Sequence, residues 1–193
     1  MLMYILTIVI ASIIIAVLNI VLGSYAFDFS ALWVCCAIVL SVIAEIAIDG
    51  VFAIIIQNWL PEKWFSSDRR WTKVRQRERN FYEKIKIRSW KDKVLELGAL
   101  GGFRKNKIKD PNSSEYLNKF IIESNKGVII HIVCVFVGIF VIFVLPLKYA
   151  LRIGLPVIVV NALLNILPTF ILRYNMPKLL VAYQRAKKKE QIK

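Results

Sequence analysis

Residues 127–145 read GVIIHIVCVFVGIFVIFVL, a run with one histidine and no Lys, Arg, Asp or Glu. At about 1.5 Å of rise per residue, a helix of this length matches the roughly 30 Å of hydrocarbon in a bilayer. Three more apolar runs of similar length lie at 2–22, 32–56 and 153–172. The pattern therefore predicts an all-α membrane protein with four transmembrane helices.

The charged residues are concentrated in two segments outside these runs. Of the 27 Lys and Arg residues, 18 lie in the insertion 61–126 and seven in the tail 173–193. Because basic loops stay in the cytosol, both segments are predicted to be cytosolic. The four spans then place the N-terminus on the same side. We expect one multi-pass domain, 1–193, in the cell membrane.

Composition also bears on cofactors and partners. A net charge of +14 without a nucleic-acid recognition motif favours contact with anionic membrane lipid and argues against nucleic acid. The three cysteines all lie within apolar runs, so we expect no disulfide framework, no metal site and no bound cofactor. The sequence leaves the oligomeric state open, a homo-oligomer included.

The insertion carries a helical pattern among its basic residues. Trp90, Val94 and Leu97 recur at i, i+4 and i+7, which predicts an interfacial helix over 89–97. A second helix is predicted to start near Ser114 and to run through Glu123 into the third span.

Polar side chains within the predicted spans are few. Glu45 and Asp49 are four residues apart on the second span, as are Asn161 and Asn165 on the fourth, so each pair occupies one helix face. Two interpretations remain open for these four residues. They either hydrogen-bond to one another to hold the helices together, or they line a polar pocket, and for Glu45 and Asp49 a proton-linked ion path is a third interpretation.

His131 is the only histidine of the chain and lies within the third span. Imidazole titrates near neutral pH, which suits a general base in proton transfer. Glu123 lies eight residues earlier on the same predicted helix, about 12 Å along the axis and roughly 80° around it. Direct pairing of the two side chains would require a bend.

Four segments together resemble the glycosyl-4,4'-diaponeurosporenoate acyltransferases, small membrane enzymes of staphyloxanthin synthesis. The segments are LPEKWF at 60–65, RSWKDKVL at 88–95, IIE at 121–123 followed by His131, and RYNMPKL at 173–179. They occur in the same order as in that family, over residues 58–180.

The resemblance implies transfer of a fatty acyl group to a sugar hydroxyl of a membrane glycolipid at the cytosolic face. The donor would be an acyl thioester, either an acyl coenzyme A or an acyl carrier protein. We expect His131 to take the hydroxyl proton and Glu123 to orient either the histidine or a sugar hydroxyl.

The remaining predicted site residues would bind the two substrates. Arg173 and Asn175 are candidates for the donor's carbonyl or phosphate, and Trp90 and Lys91 for the sugar. The intramembrane polar residues Asn165 and Asp49 complete the predicted set.

Two other functions remain alternatives at this point. The chain could be a non-enzymatic membrane module whose basic insertion binds anionic lipid or a partner protein. A small ion-coupled transporter would instead use Glu45 and Asp49 to line a path.

Overall fold

A computed structural model of the chain describes residues 2–26, 30–94, 108 and 110–192. Every regular element in these residues is helical, as predicted, and none of them lies in a β-strand. The helices are α1 (Leu2–Ala26), α2 (Ala31–Trp59), α3 (Gln76–Lys84), α4 (Ile87–Trp90), α5 (Ser114–Val137), α6 (Leu147–Tyr149) and α7 (Leu155–Gln191). Shorter 3-10 turns lie at Glu62–Trp64, Arg70–Thr72 and Lys91–Lys93.

Four helical segments are long and apolar enough to cross a membrane. They are Tyr4–Val21, Ala31–Trp59, Ser114–Phe143 and Leu147–Gln191. Large apolar side chains on these helices remain exposed in the isolated chain, such as Phe143 at 78% and Leu147 at 82%, as expected for surfaces that face lipid. The prediction of a multi-pass protein with four spans is confirmed.

Two of the spans extend well beyond their apolar runs. Helix α5 begins at Ser114, as predicted, and continues as a 3-10 helix over Gly138–Phe143. Helix α7 continues past residue 172 to Gln191 and contains Pro168 and Pro177. Each proline removes one N–H from the helix, yet the helix persists through both.

The chain divides into two compact units. The first unit comprises Met1–Ile54 and Ile132–Ile166, and the second comprises Ile55–His131 and Leu167–Lys193. The single membrane domain expected from sequence stays a prediction.

The core of the first unit is a cluster of buried apolar side chains. Its members are Ile15, Val34, Ala37, Ile38, Leu145, Tyr149, Ala150, Ile153 and Val157. A π-helical turn at Ala150–Gly154 follows α6, and Asn19 donates a hydrogen bond of 3.3 Å to the Arg152 carbonyl in that turn. Burial of apolar side chains together with this polar contact fixes α1 against the turn.

The second unit holds the basic insertion against α5 and α7. Asn125 of α5 is fully buried, and its side-chain amide donates to the Phe65 carbonyl at 2.7 Å and to the Thr72 hydroxyl at 3.0 Å. Tyr82, Ile87 and Ile171 form one buried cluster of this unit. The first part of the insertion is therefore folded onto the long helices.

The predicted interfacial helix over 89–97 is wrong in the residues that the structure describes. Helix α4 ends at Trp90, a 3-10 turn covers Lys91–Lys93, and Val94 is extended with φ −83° and ψ 126°. Leu97 lies outside the described residues. Trp90 and Val94 still pack against the cluster of Tyr82, Ile87 and Ile171. The apolar spacing therefore identified residues that are buried together, although the backbone between them is not a continuous helix.

Candidate functional site

Glu123 lies on α5 in a small network of polar side chains. The Gln57 amide donates to one of its carboxylate oxygens at 2.9 Å, and the Lys126 ammonium lies 3.6 Å from the other. Lys126 also donates to the Gln57 backbone carbonyl at 3.1 Å. Since the Lys126 side chain is only 5% exposed, Glu123 and the carbonyl together stabilise a buried cation.

His131 lies eight residues further along α5 and is half-buried. The helix is continuous over both residues, so Glu123 and His131 remain about 12 Å apart along its axis. Glu123 is held by Gln57 and Lys126 instead. Of the two roles expected for Glu123, this geometry favours binding a sugar hydroxyl over orienting His131.

Arg173 of α7 binds Glu78 of α3 through a forked pair of hydrogen bonds, at 2.8 and 2.7 Å. A third guanidinium nitrogen donates to the Trp71 carbonyl at 2.5 Å. Arg173 thus joins the insertion to α7, and such bidentate contacts are among the strongest that a guanidinium makes. A donor phosphate or carbonyl would have to replace some of them.

The environment of Glu78 favours its ionised form. Burial alone would raise the pKa of this carboxyl, but hydrogen bonds from Arg173 and Tyr82 and the charge of Arg173 outweigh it and lower the pKa. The Tyr82 hydroxyl donates to Glu78 at 2.7 Å, and burial together with that bond raises the pKa of Tyr82.

Glu78 and Tyr82 were not among the site residues predicted from the sequence. One signal could have suggested that they share a partner. The acid and the tyrosine are at i and i+4, on neighbouring turns of one helix face in a basic segment.

Trp90 and Lys91, predicted to hold the sugar, both lie at the surface of the second unit and are partly buried. The Trp90 indole N–H donates to the Ile85 carbonyl at 2.9 Å, which leaves its ring face as the part available to a sugar. Lys91 forms an ion pair of 2.8 Å with Asp92.

Asn175 is half-buried on α7, two residues beyond Arg173. Two residues apart on a helix, their side chains point to different faces. Arg173 and Asn175 therefore lie on one turn of α7, but their side chains point in different directions.

Asp49 and Asn165 belong to the first unit and contact each other, with 3.1 Å between the Asn165 amide and an Asp49 carboxylate oxygen. Asn165 also donates to the Asn161 side-chain oxygen at 2.9 Å, and Asn161 donates to Glu45 at 3.3 Å. The two pairs predicted to occupy one face of each helix therefore face each other. Within the described part of the chain, one oxygen of Glu45 and one of Asp49 are buried and accept no hydrogen bond.

Gly138 allows this polar cluster to pack closely. A Cβ atom at Gly138 would lie 2.7 Å from the Asn161 amide nitrogen and 3.1 Å from both Glu45 carboxylate oxygens. Only a residue without a side chain fits there with these neighbours in place.

The eight predicted site residues fall into both units. Asp49 and Asn165 lie in the first, while the second contains Trp90, Lys91, Glu123, His131, Arg173 and Asn175. Among the residues that the structure describes, no group of three His, Cys, Asp or Glu side chains could hold a metal ion.

Comparison with known protein families gives a match. The family model described as glycosyl-4,4'-diaponeurosporenoate acyltransferase matches residues 61–185, which include seven of the eight predicted site residues, all except Asp49. No curated protein and no solved structure matches significantly. The matched range is well over half of the 193 residues. The chain therefore belongs to the glycosyl-4,4'-diaponeurosporenoate acyltransferase family.

Proposed function

We propose that this chain transfers a fatty acyl group from a thioester donor to a sugar hydroxyl of a membrane glycolipid, at the cytosolic face of the cell membrane. The family match over residues 61–185 is the observation that carries the proposal. Glu123 and His131 both lie in that range, on the helix that runs from the insertion into the membrane. A glycolipid with a carotenoid-derived chain is the acceptor that the family description suggests.

His131 is proposed to act as the general base. Its imidazole takes the proton of the acceptor hydroxyl while the hydroxyl oxygen attacks the thioester carbonyl carbon. The tetrahedral intermediate then expels the thiolate, and the protonated imidazole returns the proton to the sulfur. An ester bond forms, a thioester bond breaks, and His131 is restored.

The position of His131 suits the meeting of two lipid substrates. It lies inside the third apolar run and is half-buried on its helix. An acyl chain and a glycolipid tail can both remain in hydrocarbon while their polar groups approach the imidazole from the cytosolic side. No soluble domain is required to lift either substrate out of the membrane.

Glu123 is proposed to hold the acceptor sugar. Gln57 and Lys126 fix its carboxylate, yet 19% of the side chain remains exposed and can accept a hydrogen bond from a second sugar hydroxyl. Such a bond would orient the reacting hydroxyl, since positioning of reactants lowers the barrier to transfer. The exposed face of Trp90 and the Lys91 ammonium are proposed to bind the same sugar.

Donor binding is proposed to involve the polar residues of α7. The Asn175 amide can donate to the thioester carbonyl, where negative charge develops during attack. Arg173 already binds Glu78 and Trp71, so its proposed contact with the donor would be shared with them. Asp49 and Asn165 remain proposed substrate-binding residues, and the donor is a co-substrate rather than a resident cofactor.

An assay in lipid nanodiscs tests the proposal. Purified protein would be given a labelled acyl thioester and a glycolipid acceptor, and the esterified product would be separated and counted. Removing a general base typically costs about 10²- to 10⁴-fold in rate, so His131→Gln should lower kcat by that factor. Lys119→Gln, an exposed change on α5, is the control and should leave kcat unchanged. Full activity of a folded His131→Gln protein would contradict the proposed base.

A non-enzymatic membrane module remains the alternative function. Trp59, just before the basic insertion, and Trp64, within it, are 76% and 50% exposed, and this combination of aromatic and basic residues favours attachment to an anionic lipid surface. A module of this kind would bind vesicles without forming any ester, so the same assay separates the two functions.

A further inference from the structure

A basic cavity of about 440 Å³ lies in the second unit, apart from the side chains discussed above. Its lining includes Asn112, Ala182, Arg185, Ala186, Lys188 and Lys189. The volume falls within the range of small-molecule sites in proteins. The match to the family ends at residue 185, so half of the residues that line this cavity lie beyond it.

The cavity follows from the spacing of side chains on α7. Ala182, Arg185, Ala186 and Lys189 recur at i, i+3, i+4 and i+7, which places them on one face of the helix. The two alanines leave room at the centre of that face. The cations lie beside that room, with Asn112 opposite them in the turn before α5.

The only acid of the tail, Glu190, is bound to the first residue of α5. One carboxylate oxygen of Glu190 accepts the Ser114 backbone N–H at 2.8 Å, and the other accepts the Ser114 hydroxyl. Glu190 thereby occupies the N-terminus of α5. In the part of the chain that the structure describes, no ion pair is formed by Arg185, Lys188 or Lys189.

Three cations without a carboxylate partner around a small cavity suit a ligand with several negative charges. Phosphate esters bind arginine through forked, charge-assisted hydrogen bonds and lysine through its point charge. We infer that this cavity binds the phosphate groups of the acyl donor, and that the donor is a coenzyme A thioester. The inference rests on the proposed function, since it names the donor of that reaction.

The distance from the cavity to His131 fits such a donor. His131 follows Ser114 by 17 residues on α5, which is about 25 Å of helix. The arm between the phosphates and the sulfur has about 13 chain atoms. Three chain atoms of an extended peptide span ~3.5 Å, so the extended arm reaches roughly 15 Å. When the terminal ribose phosphate lies in the cavity, the nucleotide and pyrophosphate span the remaining distance of about 10 Å, so a donor held by that phosphate can extend along α5 to the proposed base.

Another source of phosphate fits less well. An anionic lipid headgroup has the same charge, but Arg185 lies 13 residues beyond Leu172, about 20 Å along α7 from the predicted end of the fourth span. A headgroup at the membrane surface would not reach the cavity. The coenzyme is soluble and can enter from the cytosol.

Binding is the first test, because it needs no catalysis. Coenzyme A would be titrated by calorimetry into the full chain in nanodiscs of zwitterionic lipid, with pantetheine, which lacks the phosphates, as the comparison ligand. Wild type should bind coenzyme A at least 10-fold more tightly than pantetheine. The double variant Arg185→Gln/Lys189→Gln and the variant Ala182→Leu, which fills the cavity without changing charge, should both lose that preference. Lys187→Gln is the matched control, because its amine lies over the Tyr183 ring and not in the cavity.

Transfer is the second test. Arg185→Gln/Lys189→Gln should raise the KM for acyl coenzyme A about 10- to 100-fold and leave transfer from acyl pantetheine unchanged. Equal KM values for wild type and variant would overturn the inference, as would transfer only from an acyl carrier protein. Binding of anionic vesicles that depends on these residues, without binding of coenzyme A, would reassign the cavity to lipid. If no thioester is used although coenzyme A binds at the cavity, the proposed function fails and the phosphate site stands.

Discussion

The forked pair between Arg173 and Glu78 is the contact at which single residues are expected to matter most for stability. The two side chains are 13% and 26% exposed, so removing one partner leaves the other charge partly buried. We expect Glu78→Gln to cost about 1–3 kcal/mol in the free energy of unfolding, and Arg173→Lys to cost less because one hydrogen bond can remain. Unfolding in detergent would measure both.

An exposed ion pair in the same unit is the control. Asp92, whose side chain is 82% exposed, pairs with Lys91, and Asp92→Asn should change the free energy of unfolding by less than about 1 kcal/mol. Equal losses for Glu78→Gln and Asp92→Asn would contradict a special role for the forked pair.

Glu78 also predicts how stability depends on pH. The pKa of Glu78 is lowered in the folded chain, so its ionised form stabilises the fold at pH values above the pKa of the unfolded chain, about 4.3. This contribution is lost as the pH falls through the lower, folded value. The difference in melting temperature between wild type and Glu78→Gln should be constant near neutral pH and should shrink below about pH 4. A difference that persists unchanged to pH 3 would contradict the assignment.

At the level of residues, sequence reasoning identified many of the polar positions but few of their partners. Arg173 stood out beside a tyrosine at a helix end, whereas its partner Glu78 lies 95 residues away. Nothing in local spacing fixes a contact over that distance, because it depends on how the insertion folds back onto α7. The contact between Asn165 and Asp49 was easier to foresee, since polar groups within spans must find one another.

Among the elements, the close approach of α7 to the end of α5 depends on Gly138. Replacing it with alanine would place a Cβ atom 2.7 Å from the Asn161 amide and should separate Asn161 from Glu45. We expect Gly138→Ala to lower the melting temperature. Gly50, on α2, has no atom within 4 Å of its potential Cβ, so Gly50→Ala should be neutral or stabilising through helix propensity. Equal effects of the two changes would show that close packing at Gly138 is not needed.

The junction between α3 and α4 contains a strained residue. Lys86 is left-handed, with φ 50° and ψ 45°, and its carbonyl accepts hydrogen bonds from the backbone and the hydroxyl of Ser89. A side chain in this region costs roughly 1 kcal/mol, so Lys86→Gly should stabilise the fold by about that amount.

The control for this prediction is a glycine within a helix. Arg79→Gly, at an exposed position in α3, should destabilise by about 1 kcal/mol, the usual cost of glycine in a helix interior. Chemical denaturation would measure both changes. If Lys86→Gly destabilised the fold by the same amount as Arg79→Gly, the lysine side chain would stabilise the fold by more than its backbone strain costs.

Hydropathy predicted the long helices well but not their ends. The part of α7 beyond residue 172 has no apolar run to reveal it, and the helix continues through Pro177. Over 89–97 the spacing of Trp90 and Val94 correctly indicated that both side chains pack in the same cluster. The backbone between them, however, is a 3-10 turn followed by an extended residue. Packing against α7 decided that conformation, and packing partners cannot be read from a single segment.

For the whole molecule, the main prediction is orientation. The basic insertion and tail predict that both termini lie in the cytosol, and that the turns between spans one and two and between spans three and four lie outside. After the three native cysteines are replaced, Ser30→Cys should react with an impermeant thiol reagent in intact cells. Gln184→Cys, exposed in the tail, should react only after permeabilisation. The reverse pattern would place His131 and its proposed substrates toward the outer face.

The most direct measurement of the proposed reaction is lipid mass spectrometry of cells that lack this chain, complemented with wild type or with His131→Ala. Both proteins would first be shown to be present in the membrane at equal levels. We predict that one glycolipid gains the mass of a fatty acyl group with wild type, and that this species is absent or at least 100-fold reduced with His131→Ala. An identical lipid profile with and without the chain would contradict the acyltransferase function, and an acylated glycolipid formed equally by both proteins would contradict the role of His131.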